Sequence, residues 1–153
     1  MKICAKNNVP SALILLICLW LLFGCKKNNT ASIPETFVME TGIYEGTLNN
    51  FQTGQNIAKF QVSVSKTGDN TYQVAEVSSG GVPVFTMVDK NHSYSFVNLT
   101  IAPQTYQNQS YSGSGGVSGG FDALYTPTTK SFYFGIAPSS NLSKTIMFNG
   151  YKQ

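Results

Sequence analysis

Short segments in which apolar and polar residues alternate fill most of the chain beyond residue 41. Ala58, Phe60, Val62 and Val64 alternate with Lys59, Gln61, Ser63 and Ser65, the period-two pattern of a strand buried on one face. Thr67-Gly68-Asp69-Asn70 supplies turn residues, and residues 72–77 return as the partner strand. Residues 82–88 and 94–101 predict a second pair around a turn at Asp89-Lys90-Asn91-His92, and a shift of apolar parity between Phe96 and Val97 predicts a β-bulge. Residues 121–125 and 132–136 predict a third hairpin around Pro127-Thr128-Thr129. Residues 43–48 open the series, Ile146, Phe148 and Tyr151 mark its last strand, and residues 111–117 add one weakened by glycine. No segment of helix length there carries a 3.6-residue period. About eight short antiparallel strands with regularly spaced turns predict an all-β fold, a small up-and-down barrel or a sandwich. A membrane-spanning barrel fits poorly, because the second faces of these strands carry Ser, Thr, Gln and Lys instead of an apolar band.

The pattern before residue 41 is different. Lys2 and Lys6 precede an almost unbroken apolar run over residues 11–23, which ends in Gly24 and Cys25. The run is shorter than the roughly 20 residues that a spanning helix needs, and Pro10 stands at its start. Charge, apolar core and small residue in that order make a secretory signal, and Gly24 is the small residue before the cleavage point. With Cys25 added, the segment resembles the lipobox of bacterial lipoprotein precursors, with Phe23 bulkier than is usual there. That resemblance implies removal of residues 1–24 and acylation of Cys25, palmitate included, as the first mature residue. An ordinary cleaved signal, leaving Cys25 a free thiol, is the alternative. One myristoyl-sized chain supplies only about 5 kcal/mol of membrane affinity, so lasting attachment requires diacylation. Lys26 in place of aspartate implies, by the same resemblance, sorting to the outer membrane of the cell envelope. Residues 25–40 then read as the lipidated cysteine and a polar tether, and residues 41–153 as a single domain.

Composition narrows the function. Cys4 and Cys18 lie in the removed segment and Cys25 is the modified residue, so the domain holds no disulfide, thiolate nucleophile or cysteine-bound metal. The chain contains no arginine, and eight lysines against seven carboxylates leave the processed form at +1. Nucleic acid is not the expected partner, because phosphate binding draws on clustered Lys and Arg. Gly116-Val117-Ser118-Gly119-Gly120 matches the G-x-S-x-G elbow of serine hydrolases, yet no histidine follows it, and the same glycines lack the Gly-Lys-Ser/Thr of a P-loop. His92, the single histidine, reads as a turn residue. Glu40, Glu45, Glu76 and Asp122 share no spacing, and two of them meeting at a barrel mouth would make a glycosidase pair. No catalytic residue, metal site or cofactor is predicted.

Aromatic residues remain. Tyr44, Phe60, Tyr72, Phe96, Phe132, Phe134 and Phe148 stand on predicted strands and are candidates either for a filled core or for the lining of a ligand cavity. Gly42-Ile43-Tyr44 resembles the Gly-x-Trp signature that opens the first strand of lipocalins. Tyr44 stands for the tryptophan, and Lys144 or Lys152 would replace the arginine that packs over it. The resemblance implies a calycin-like barrel. Three functions stay open: an envelope module that binds a protein or glycan or serves structure, a carrier of a small apolar ligand, and a hydrolase of envelope glycans. The first is the leading reading.

Overall fold

The alternating segments are antiparallel strands in a computed structural model of the chain, which describes residues 38–93, 95–115 and 120–153 within a compact unit spanning Pro34–Gln153. Ten strands run in chain order: β1 (Gly42–Asn50), β2 (Gln55–Gly68), β3 (Thr71–Glu76), β4 (Phe85–His92), β5 (Val97–Thr100), β6 (Gln104–Tyr106), β7 (Gln109–Gly113), β8 (Ala123–Thr126), β9 (Ser131–Pro138) and β10 (Ile146–Lys152). A 3₁₀ turn, Leu142–Lys144, precedes β10.

Eight of these strands close on themselves. β1 to β5 pair in succession, β5 pairs with β8, β8 with β9, β9 with β10, and β10 returns to β1. The result is an antiparallel up-and-down barrel, the closed and calycin-like form of the two all-β architectures expected. Closure leaves none of the eight as an open edge. The seam joins the first and last strands through seven paired positions, from Tyr44↔Lys152 to Asn50↔Ile146. Gly46 faces Gly150 next to its centre, and a Cβ on Gly46 would overlap the Asn149 carbonyl, so the strands meet this closely only because both are glycine.

β6 and β7 form a hairpin inserted between β5 and β8. Its β7 strand pairs with residues 136–138 of β9, beyond Phe134, the partner of the first residue of β8. It therefore completes that wall of the barrel, and the Gly113 N–H donates to Ile101 O across the remaining gap. Residues 111–117 were expected to add a strand, and β7 supplies one; β6 carries no alternation long enough to announce it.

The β4–β5 connection differs from expectation. His92 is the last residue of β4, and beyond it the Ser93 hydroxyl accepts the N–H groups of Ser95 and Phe96 before β5 begins. Phe96 therefore precedes β5, and the parity change beside it marks a strand end. The irregularity in this pair lies on β4, between Asp89 and Asn91.

Inward positions follow the period of two and build one core. Phe60, Val62 and Val64 on β2, Tyr72 and Val74 on β3, and Phe132 and Phe134 on β9 are all buried. Each such side chain contributes about 1.5–3 kcal/mol by leaving water. Because consecutive strands alternate in direction, residues 38–41, the β2–β3, β4–β5 and β8–β9 turns and the C-terminus share one end of the barrel. The β3–β4 loop, the β6–β7 hairpin and the 3₁₀ turn share the other.

Candidate functional site

The aromatic set is largely interior. Tyr44, Phe60, Tyr72, Phe132, Phe134 and Phe148 are buried, and their rings meet across the barrel. Phe85 on β4 stands edge-on to Phe134 on β9 at 4.9 Å, and Tyr44 on β1 to Tyr125 on β8 at 6.3 Å, although neither pair of strands is adjacent. Phe132, Phe134 and Phe148 continue the contact at 5.4–6.3 Å. These separations are those of favourable edge and offset ring pairs, so at these levels the rings fill the axis. Phe96 is corrected: it lies outside the strands, half-buried, and packs on Phe121 at 5.9 Å.

One end is closed by a strap. Residues 38–41, placed by sequence mostly in the tether, cross below the first strand, and Met39 is 2% exposed within the core. The Tyr44 hydroxyl donates to Glu40 O at 2.6 Å. The Glu40 carboxylate pairs with Lys152 Nζ at 2.5 Å and Lys130 Nζ at 3.3 Å, and these lysines, Lys152 first, hold it below its ordinary pKa. Of the two lysines weighed against the lipocalin arginine, Lys152 stands opposite Tyr44 and its stem runs beside Gly42, whereas Lys144 is exposed at the other end. Burial raises the Tyr44 and Tyr72 hydroxyls above the usual tyrosine range. It pushes the Tyr125 hydroxyl up to about 12, with the Glu40 charge adding to the shift. On the same end His92 Nδ1 lies 3.4 Å from Asp89 Oδ2.

The opposite end is held by carboxylates on backbone. Glu76 Oε2 accepts the N–H groups of Gly80 at 3.1 Å and Val82 at 3.0 Å, which fixes the β3–β4 loop. Asp122 accepts Ile101 N–H through Oδ2 and Gly115 N–H through Oδ1, both at 3.1 Å, and its carboxylate occupies the space a Cβ on Gly113 would need. The Gln104 side chain caps Thr86 of β4, accepting its N–H at 2.7 Å and donating to its O at 2.9 Å. Between loop and hairpin lies a cleft of about 130 Å³ lined by Glu76, Val82, Pro83, Tyr106, Gln107 and Tyr111.

The carboxylates weighed as a glycosidase pair are dispersed. Glu40 is on the strap, Glu45 accepts from Gln61 Nε2 at 2.8 Å, and Glu76 and Asp122 brace separate segments. Among the described residues no three His, Cys, Asp or Glu side chains gather where they would hold a metal. Gly24, Cys25 and Ser118 lie outside the described residues. Sequence reasoning missed the cleft, because its walls come from segments 23 or more residues apart whose local patterns give no sign of meeting. No family model matches the chain, and no curated protein or solved structure matches it.

Proposed function

We propose that the chain is a lipoprotein precursor, cleaved between Gly24 and Cys25 and held at the outer membrane by acyl chains on Cys25, whose barrel is a structural or interaction module of the envelope. The order of charge, apolar run, small residue and cysteine supports the anchor. The observation that carries the module reading is ring-to-ring contact across the barrel axis, from Tyr44 to Tyr125 and from Phe85 to Phe134. An interior occupied by its own rings leaves the loops and outer faces as the surfaces for recognition, and it lends no support to a carrier holding an apolar ligand among those residues.

Two measurements test the parts separately. Labelled palmitate is expected to enter the protein in the expressing cell and to be lost in Cys25→Ser, with mass spectrometry placing the mature terminus at Cys25. An intact leader, or label retained in the variant, would reject the anchor. Thermal melting against a library of apolar ligands is expected to show no shift, while cross-linking in intact envelopes captures a defined partner. A ligand present at 100 times its dissociation constant would add about 2.7 kcal/mol, and such a rise would favour the carrier instead.

A further inference from the structure

The cleft at the hairpin end has a definite chemistry. Glu76 is immobilised, since the Gly80 and Val82 N–H groups both bind Oε2. Its other oxygen, Oε1, accepts no hydrogen bond from a described residue. The ion pairs of the described residues join Glu40 to Lys130 and Lys152 and Asp89 to His92, so the Glu76 charge has no cationic partner. Tyr106, Tyr111, Val82 and Pro83 line the cleft with it, and the lining contains no cation. Phenol rings attract cations to their faces, and a fixed carboxylate accepts charge-assisted hydrogen bonds.

We propose that this cleft binds a primary alkylammonium group, presented in the envelope as the lysine side chain of a partner protein. The ammonium donates to Glu76 Oε1, and the methylene stem lies along Tyr106, Val82 and Pro83. An anion would meet like charge, and a neutral alcohol would leave the carboxylate uncompensated. This deepens the interaction reading by giving the partner a chemistry, and it does not depend on acylation of Cys25.

The test is an NMR titration of the full chain in nonionic detergent with n-butylammonium, N-acetyl-lysine methylamide and n-butanol. Both amines are expected to shift the Val82 methyl and Tyr106 ring signals saturably at millimolar concentrations, with butanol about tenfold weaker. Glu76→Gln keeps an oxygen for Gly80 and Val82 and is expected to weaken the amine response about tenfold while the loop amides stay in place. Tyr106→Leu is expected to weaken it about threefold. Equal shifts from butanol, an unchanged response in Glu76→Gln, or no saturable shift with either amine would each overturn the proposal. If Glu76→Gln opens the loop, the comparison of butylammonium with butanol on the unaltered chain decides alone. Failure here with palmitate still on Cys25 leaves the anchor standing, and loss of the anchor leaves the cleft untouched.

Discussion

At the strap end a carboxylate closes the barrel by pairing with lysine side chains; at the hairpin end two carboxylates do it by accepting backbone N–H groups. Glu40 is partly exposed, so its pairs with Lys130 and Lys152 are screened by salt and removed by acid. Glu76 and Asp122 instead satisfy amides that loops leave without strand partners, and so determine loop shape. The first device is electrostatic and adjustable. The second is geometric, and Glu76, which lines the cleft, spends only one of its oxygens on it. The same residue type thus serves as a latch at one end and as a brace at the other, according to what opposes it.

The largest effect should come from the ring that joins the two ends. Phe134 touches Phe85, Phe132 and Phe148, so Phe134→Ala is expected to cost about 3–5 kcal/mol in urea unfolding. Amide exchange should rise at both ends together, and a rise confined to one end would separate them energetically. Next, Asp122→Ala removes the acceptor from the Ile101 and Gly115 N–H groups, on the order of 1–3 kcal/mol. Its exchange signature should be confined to the β6–β7 hairpin, and matching loss of protection at Met39 would erase the contrast.

Alkali should act on the strap end alone. Burial pushes Tyr125 up to about 12, above the usual tyrosine range, and raises Tyr44 and Tyr72 as well. A raised folded pKa contributes stability that is whole below the unfolded value and lost as pH climbs through the folded one. Phenolate absorbance should therefore lag for these tyrosines and then rise with loss of strap protection near pH 12. A phenolate titration complete near pH 10 would remove the burial argument.

The smallest effect belongs to Glu40→Gln. Its folded pKa is depressed, so its stability is present above the ordinary carboxylate range and lost as pH falls through the depressed value. Calorimetry should show a slightly lower melting temperature than the unaltered chain at neutral pH and low salt. The gap should close at high salt or in acid. A salt-independent deficit would mean that the side chain acts by packing.

Much of the fold was legible because alternation is a local signal. The β2–β3 hairpin followed from Phe60, Val62 and Val64 opposite Tyr72 and Val74, and the β8–β9 hairpin from Phe132 and Phe134. Phe96 misled because it is apolar beside a strand, and nothing in its spacing says that the Ser93 hydroxyl has already turned the chain. Strand β6 escaped because its three residues are too few to alternate, and one of them, Gln104, is held to the Thr86 backbone through its side-chain amide. The strap escaped because Met39 and Glu40 look polar-flanked and aperiodic until the Tyr44 hydroxyl and the two lysines are brought to them.

By itself the sequence determined most of the strands, which of their faces turn inward and where most turns fall, since each depends on neighbours a few residues away. Closure was decided only in three dimensions. Pairing residues 44–50 with residues 146–152 spans nearly the whole domain, and it is possible because two glycines meet at the seam. The same holds for the positions of the carboxylates. Glu40, Glu76 and Asp122 are chemically alike along the chain, and only the barrel places lysines before one and backbone amides before the others.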